Sequence, residues 1–310
     1  MAMNAIEQFK ARYAKADVVA ADMTAAAETA LLDIYDATYA KVYRKLMSAR
    51  SDDNYATVSR QKQLMRQVGQ ELEKFQAEFG DTLKEDLRRV SEYITGLALK
   101  DMGMLGVDPE NSRSFFYRYN EKYVEQVFKD NFMHVAAQTE KMSADFKYLL
   151  RTETSGVMRK ASVEGMTRKE ATKSLMEAVG SKEPSFKFVD RAGRAWDSRK
   201  YFEMLSRTLM MNAQREVYIN TMTANRQDLA IISSHNAKDA CRRWEGRVIS
   251  LTGATEGYPT LESLMVSGEI FHPRCRHLIL AFNQELADAF GATADTAAKL
   301  EAEALSVLEN

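Results

Sequence analysis

The residues best suited to chemistry in this sequence lie in one short stretch of its last third. Five residues of types that commonly bind metals fall within 43 positions: His235, Cys241, His272, Cys275 and His277. Zinc prefers cysteine thiolate and histidine nitrogen ligands in a tetrahedral arrangement, so these residues suit a Cys2His2 site. The predicted ligand set is His235, Cys241, His272 and Cys275. The alternative is a metal-free core in which both cysteines act as small buried apolar residues.

The spacing H-x2-C-x-H in residues 272–277 restricts how such a site can form. Side chains alternate between the two faces of a strand, so His272 and His277 would point in opposite directions along a regular strand. Pro273 favours a turn at this point. A turn would let residues on both sides of it reach the same site.

The same stretch could also support other functions. One hypothesis is a nuclease, with imidazole bases and guanidinium groups that bind phosphate. Its site would comprise His235, His272, Arg274, Arg276 and His277. A thiol nucleophile would need Cys241 or Cys275 beside a histidine and Asp239. A third hypothesis is a zinc-stabilised module that binds DNA ends, held by both cysteines and two of the histidines.

Motifs for better-known chemistry are missing from the sequence. It contains no Walker loop, no dinucleotide-binding glycine motif, no HExxH and no EF-hand loop. The paired glutamates Glu301 and Glu303 fall in an Ala/Glu/Leu segment that is typical of a solvated helix face. We therefore predict no catalytic residues, no enzymatic activity, and no cofactor apart from the zinc described above.

Two long apolar stripes predict helices in the N-terminal part of the chain. The first runs from Ile6 to Leu46 in steps of three to five residues, and the polar segment 48–54 interrupts it. The second is a near-heptad seam from Met65 to Leu97, which requires a partner helix. Glycines and a proline follow this seam and end the helix.

Shorter elements follow. Helical spacing covers 114–136 and 140–164, and Thr167 with Glu170 forms a capping box for a helix that stops at Gly180. The turn-like sequence DRAG that follows predicts a β-hairpin. Asp197 or Ser198 can cap the next helix, which runs to about residue 225. Three β-favourable runs come last: Leu229–Ile232, Arg247–Leu251 and Arg276–Phe282.

These elements predict an α+β fold, with a mostly α-helical N-terminal part and a small mixed α/β C-terminal module. The predicted divisions are a long-helix interaction arm (1–108), a helical middle region (109–185), a compact α+β module (186–282) and an acidic C-terminal helical tail (283–310).

Composition limits the class of protein. Of 310 residues, 45% are hydrophobic and 28% are charged, with a formal net charge of -1. No apolar run reaches the roughly 18 residues of a membrane span, so none is predicted. Two cysteines are too few for a disulfide framework, which favours a reducing compartment. The middle of the chain is basic and the tail is acidic, but this imbalance is too small to indicate specific DNA recognition.

Several motifs occur together and in order between residues 186 and 282. They are a hairpin with a D-x-x-G-R turn, a helix carrying Tyr201 and Arg207, a strand that ends at His235, a W-x-G-R-V-x-S block from Trp244, a Gly-Tyr-Pro turn at Gly257, and a closing PRCRH from Pro273. This set resembles the minor capsid proteins of tailed phages, in particular the minor capsid protein 2 type, and is related to the Mu F-like proteins. The resemblance covers roughly residues 140–282.

The resemblance implies a structural protein of the virion, located inside the capsid and present in the host cytoplasm during assembly. Its implied partners are the portal protein, the major capsid protein, or both, with non-specific contact to packaged DNA. It would assist head morphogenesis and accompany DNA on packaging or ejection. Exposed parts of the two helical stripes would form its assembly surfaces.

Within the compact module, specific residues are expected to hold the fold. We predict that Trp244, Tyr258 and Phe271 are core anchors. We also predict a structural polar cluster that fixes the strands, formed by Arg207, His235, Arg276 and His277.

Overall fold

The computed structural model describes residues 5–48, 58–108, 113–181, 187–189 and 195–286. The first elements are α1 (Ala5–Ala14), α2 (Ala16–Ser48), α3 (Val58–Met104), α4 (Arg113–Glu164), α5 (Arg168–Ser181), β1 (Lys187–Val189) and β2 (Ala195–Asp197). The later elements are α6 (Ser198–Ala224), β3 (Leu229–Ile232), a 3-10 helix (Ala240–Trp244), β4 (Val248–Ser250), α7 (Leu261–Ser267) and β5 (Ile279–Ala281). The predicted α+β class is confirmed. Among the described helices, none has an apolar run long enough to cross a bilayer.

The near-heptad seam lies in α3 and is buried almost throughout. Its buried members are Val68, Leu72, Phe75, Phe79, Leu83, Leu87, Val90 and Ile94. Only its two end members, Met65 and Leu97, are half-buried. The chain itself therefore covers this seam, and an assembly surface must be sought elsewhere.

The described chain divides into two compact units that are not consecutive in sequence. One contains 1–28, 84–128 and 204–310, and the other contains 29–83 and 129–203. Helices α2, α3, α4 and α6 each contribute to both units. The predicted division cut the chain into four consecutive segments, because a sequence pattern shows where elements lie but not which distant segments pack together.

The first unit contains a three-stranded antiparallel sheet with strand order β4-β3-β5. All three strands are fully buried, which explains why, apart from Ser250, they are apolar instead of alternating. Helix α1 covers the sheet: the Phe9 ring lies 5.5 Å from that of Phe282, and the Tyr13 hydroxyl donates to the Ile232 carbonyl at 3.1 Å. The three predicted strands are confirmed, each within its predicted range.

A buried polar network joins α1, α3, α6 and β5 in the same unit. Asp101 accepts hydrogen bonds from Arg12 Nε at 3.1 Å and from the Tyr218 hydroxyl at 2.7 Å. The Tyr218 oxygen in turn accepts from the Ala281 amide at 3.0 Å. Nearby, Asn120 Nδ2 lies 2.9 Å from Thr95 Oγ1 and 2.8 Å from Thr221 Oγ1. Since polar groups buried in an apolar core must be paired, these contacts fix how the helices align.

The second unit is built around an aromatic core. The Phe202 ring lies 5.3 Å from Phe75, 5.1 Å from Phe79 and 5.6 Å from Tyr35. At its surface, Arg199 Nε pairs with Asp36 Oδ1 at 2.9 Å. Aromatic pairs at such separations add to the stabilisation that burial alone provides.

The local signals in this unit are confirmed. Thr167 and Glu170 form the predicted capping box, in which the Thr167 amide donates to Glu170 Oε2 at 2.8 Å and the Glu170 amide donates to Thr167 Oγ1 at 3.3 Å. Strands β1 and β2 pair as an antiparallel hairpin. The Lys200 amide donates to Asp197 Oδ1 at 3.3 Å, so Asp197 caps α6. The DRAG turn, the polar segment after Ser48, Pro109, and the tail beyond residue 286 lie outside the described residues.

Two helix boundaries differ from those expected. The first stripe is split at Lys15 into α1 and α2, without a glycine or proline to mark the break. Helix α4 is continuous through the polar residues between its two predicted halves. The Thr139 hydroxyl donates to the Val135 carbonyl at 2.8 Å, and Gln138 Nε2 donates to Ser198 Oγ at 2.8 Å. The continuity of α4 is supported by this contact with Ser198, which a pattern along the chain does not show.

Candidate functional site

Cys241 lies in the short 3-10 helix between β3 and β4. Asp239 precedes this helix as its N-cap, and its Oδ1 accepts a hydrogen bond from the Cys241 amide at 3.1 Å. At the other end of the helix, Trp244 Nε1 donates to Glu269 Oε2 at 3.1 Å. The cysteine is 1% exposed. Its position is therefore fixed from both ends of one helical turn.

The second half of the site is the turn predicted at Pro273. The Cys275 amide donates to the His272 carbonyl at 2.9 Å, which closes the turn. Phe271 and Arg274 adopt positive φ angles of 61° and 69°, a left-handed conformation that is costly for side chains other than glycine. Such strain persists only where the surrounding structure enforces it, as at many functional sites.

The turn brings both cysteines and two imidazoles together. Cys241 Sγ lies 3.0 Å from His272 Nε2 and 3.9 Å from Cys275 Sγ. Cys275 Sγ lies 3.3 Å from Nδ1 of His277. Sequence reasoning predicted that these residue types share a site, and in the structure they are neighbours.

Glu245 contacts the imidazole rings of both His235 and His277. This buried carboxylate accepts hydrogen bonds on Oε1 from the amides of His235 and Ala237, at 3.0 and 2.9 Å. The same oxygen lies 3.1 Å from His277 Nε2 and 3.5 Å from His235 Nδ1. The two imidazole rings are 4.1 Å apart. The carboxylate thus fixes both the loop after β3 and the ring of His277.

The charge states follow from this packing. Burial lowers the pKa of His277 to about 4, with a further decrease from His235 and a partial opposing effect of Glu245, so the ring is neutral at pH 7. Burial tends to raise the pKa of Glu245, but the hydrogen bonds from His235, Ala237 and His277 outweigh it and lower the pKa. Burial raises the pKa of the Cys241 thiol, and Cys275 raises it further. A metal-free Cys241 is therefore a protonated thiol, which is a poor nucleophile.

An open cavity of about 300 Å³ lies beside this cluster. Its lining residues are His235, Asn236, Ala237, Lys238, Asp239, Cys241, Arg274, Cys275, Arg276 and His277. Four of the five residues of the nuclease hypothesis line it, and His272 does not. His277 is 1% exposed, and both of its ring nitrogens face protein atoms, Cys275 Sγ and Glu245 Oε1. It is therefore poorly placed to accept a proton from a substrate.

A comparison with protein families gives a match across most of the chain. The model of the family described as Phage minor capsid protein 2 matches residues 23–308. This chain belongs to that family. The resemblance seen in the sequence is confirmed, and the match extends well beyond the residues on which it was based. No curated protein and no solved structure matches the chain.

Membership of the minor capsid protein 2 family implies a structural role in a phage particle. It favours a structural over an enzymatic function, in line with the prediction that the chain is not an enzyme. The cysteine–histidine cluster and the basic cavity are therefore to be understood first as parts of a capsid protein.

The structure distributes the predicted polar cluster between two cavities. His235, Arg276 and His277 line the cavity of about 300 Å³. Arg207 lines a second one, of about 170 Å³, which Arg276 also borders. There Arg207 pairs with Glu28 of α2 at 2.8 Å, a partner from a distant part of the chain.

The predicted core anchors and zinc ligands can also be placed. Phe271 is buried at 8% exposure, whereas Trp244 and Tyr258 are half-buried, and Tyr258 packs against the core that contains β3 and β5. Of the predicted zinc ligands, His272 and Cys275 each lie beside Cys241, at 3.0 Å and 3.9 Å. Among the described residues, the candidate metal-binding groups combine His277, and not His235, with the two cysteines.

Two residues of the site were missed in the sequence. Glu245 gave no signal, since a lone glutamate after a tryptophan is usually exposed. Arg215 of α6 is 2% exposed, and its guanidinium lies 4.2 Å from the centre of the Phe271 ring. Burial lowers the pKa of Arg215, while the charge of Cys275 opposes that decrease. The apolar residues Met211, Tyr218 and Ile219, three or four positions away on α6, are buried and could have marked this face of the helix.

Proposed function

We propose that this protein is a structural component of a tailed-phage head that docks on the portal or the inner capsid surface and assists head assembly. In this role it would also take part in the packaging of the DNA or in its ejection. The observation that carries the proposal is the family match over residues 23–308. The surface of the first unit supports it, because that surface carries aromatic side chains that a docking protein can use.

We use the name aromatic patch for three exposed aromatic residues of the first unit, Tyr93 on α3 and Phe115 and Tyr119 on α4. They are 45%, 39% and 47% exposed, and the rings of Phe115 and Tyr119 stack at 6.1 Å. Tyr93 also borders an open cavity of about 520 Å³, together with Arg89 and Lys100. Exposed aromatic groups beside cationic side chains are typical of protein interfaces.

Incorporation into heads tests the proposal. Phage would be produced with the wild-type chain or with the triple variant Tyr93→Ser/Phe115→Ser/Tyr119→Ser, and the protein content of purified heads would be measured by quantitative mass spectrometry. The matched control is Tyr148→Ser, which changes a 73% exposed tyrosine of the second unit. We expect at least a tenfold loss for the triple variant and none for the control, since interface aromatics carry much of the binding energy.

Two outcomes would count against this proposal. If the wild-type protein is absent from purified heads, the head role is wrong. If the triple variant is folded and incorporated like wild type, docking through the aromatic patch is wrong. Crosslinking of the wild-type protein in purified heads would then distinguish the portal from the major capsid protein as its partner.

We also propose non-specific contact with packaged DNA through the basic rim of the cavity of about 300 Å³. Lys238, Arg274 and Arg276 are all exposed there. Phosphate contacts release counterions, and each one steepens the salt dependence of binding by about 0.9 logarithmic units. Arg274→Ala/Arg276→Ala should therefore flatten the slope by about 2, while the control Lys147→Ala/Arg151→Ala on α4 should not. Equal slopes, or no binding of the wild-type chain at low salt, would exclude this contact.

A further inference from the structure

We infer that Cys241, His272, Cys275 and His277 form a structural zinc site, which fastens the 3-10 helix and the turn at Pro273 to the beginning of β5. The inference depends on the positions of the donor atoms, on what holds each imidazole, and on how the backbone is fixed around them. It does not depend on the role of the protein in the phage head.

The two sulfur atoms have the separation of thiolates that bind one zinc ion. Zinc–sulfur bonds of about 2.3 Å at tetrahedral angles place two thiolates about 3.8 Å apart. Cys241 Sγ and Cys275 Sγ are 3.9 Å apart. A disulfide would need about 2.05 Å between the sulfurs, so these cysteines are not spaced as a bonded pair. The sulfur–nitrogen distances are 3.0 Å for Cys241 and His272 and 3.3 Å for Cys275 and His277. Both are shorter than the roughly 3.6 Å between two ligands of the same zinc ion, so zinc binding would move these ligands slightly apart.

Each histidine is held so that its remaining nitrogen faces a sulfur. His277 Nε2 lies 3.1 Å from the ionised Glu245, which fixes the proton on that nitrogen and leaves the lone pair of Nδ1 directed towards Cys275. His272 Nδ1 lies 2.9 Å from the Pro273 carbonyl, which can only accept, so the lone pair of His272 is on Nε2, towards Cys241. Histidines that bind zinc characteristically donate their other N–H to a carboxylate or a carbonyl.

Two properties select these four ligands over a set that contains Asp239. They are the burial of the side chains and the distances between their donor atoms. Cys241, Cys275 and His277 are all buried and offer donor atoms within 4.8 Å of one another. His272 and Asp239 form a second group with Cys241. We assign His272 as the fourth ligand because Asp239 is 58% exposed and already accepts the Cys241 amide as a helix cap. With four protein ligands the site is closed, which is typical of structural and not of catalytic zinc.

The surrounding structure supplies rigidity. Strained residues Phe271 and Arg274 flank His272, and the Leu278 amide beside His277 donates to Ser233 Oγ at 2.9 Å. The Arg215 guanidinium is buried against Phe271, 4.2 Å from the centre of its ring, which holds the residue at the start of the turn in place. A metal that joins these segments would offset the cost of their strained backbone.

Metal analysis of the full chain tests the assignment. The protein would be purified under reducing conditions in zinc-supplemented medium, passed over a desalting column, and analysed by inductively coupled plasma mass spectrometry. We expect about one zinc per wild-type chain and at least a tenfold lower content in Cys241→Ser and Cys275→Ser. The matched controls are His134→Ala, an exposed histidine of α4, and His235→Ala, which should both retain zinc.

Cobalt binding to the wild-type chain tests the same site without relying on a variant that folds. Co²⁺ added to the metal-stripped wild-type chain should give the intense absorption of tetrahedral cobalt with thiolate charge-transfer bands. His272→Ala should weaken cobalt binding, whereas Asp239→Asn should not. Less than about a tenth of a zinc per wild-type chain, together with an octahedral cobalt spectrum, would overturn the inference. Retention of zinc in the Cys275→Ser variant, or its loss in His235→Ala, would refute this ligand set.

Discussion

Removal of the Tyr218 hydroxyl should destabilise the first unit strongly, although it deletes a single atom. This hydroxyl donates to Asp101 at 2.7 Å and accepts from the Ala281 amide at 3.0 Å. Tyr218→Phe therefore leaves two buried polar groups without that partner. Each such group costs about 1–3 kcal/mol, but Asp101 keeps its hydrogen bond from Arg12, so we expect a loss of about 2–4 kcal/mol in the free energy of unfolding.

The assay must report on the first unit alone, because two compact units need not unfold together. The chain has two tryptophans, and Trp244 belongs to the first unit. In a Trp196→Phe background, urea unfolding followed by tryptophan fluorescence reports on the surroundings of Trp244. The control is Tyr148→Phe, a 73% exposed tyrosine, whose effect should stay within about 0.5 kcal/mol.

The reasoning would be refuted if Tyr218→Phe changed the unfolding free energy by less than about 0.5 kcal/mol with an unchanged urea dependence. That result would mean that the Asp101 and Ala281 groups find equivalent partners once the hydroxyl is removed. A change in the slope instead of the midpoint would indicate an altered denatured state.

Three further predictions concern single residues. Partial burial tends to raise the pKa of Asp228, but hydrogen bonds from Thr252, Thr255 and Ser250 lower it to about 2. Since the folded pKa lies below the unfolded value of 3.8, Asp228 stabilises the fold above that pH and loses this effect as the pH falls towards 2. Discounted for its exposure, the difference between wild type and Asp228→Asn should be about 1–2 kcal/mol at pH 7 and should shrink at pH 3, as measured by urea unfolding. Thr167→Ala removes the cap of α5 and should cost about 1 kcal/mol, seen as roughly fivefold faster amide hydrogen exchange in that helix, and unchanged exchange would contradict the capping box. Arg274→Gly relieves a positive φ angle at an exposed position and should raise the unfolding free energy by about 1 kcal/mol, whereas a decrease would show that the side chain itself is needed.

Local signals were sufficient to predict the elements. The seam of α3, the capping box at Thr167 and the apolar runs of β3 to β5 depend on spacing or on residues three or four positions apart. Such patterns are fixed by the geometry of one helix or strand, so they can be seen without knowledge of what packs against them. The break at Lys15 has no such local cause, and it was missed.

The candidate site was predictable in composition but not in arrangement. The clustering of cysteines and histidines was visible, and Pro273 indicated the turn that joins them. The choice of His277 over His235 in the proposed zinc site depends on Glu245, whose Oε1 contacts both rings, and only the fold determines that position. The pairing of Arg207 with Glu28 depends equally on the packing of α2 against α6 within one unit, across 179 positions of sequence.

The covering of the sheet by α1 has a consequence for synthesis. Phe9 is translated long before Phe282, against whose ring it packs. At about 5–20 residues per second, those 273 intervening positions take roughly 15–55 s to translate, during which the aromatic side of the first helix lacks its native cover. A nascent or prematurely terminated chain would thus display an adhesive surface that the finished protein hides, and it would be a natural target for chaperones in an infected cell.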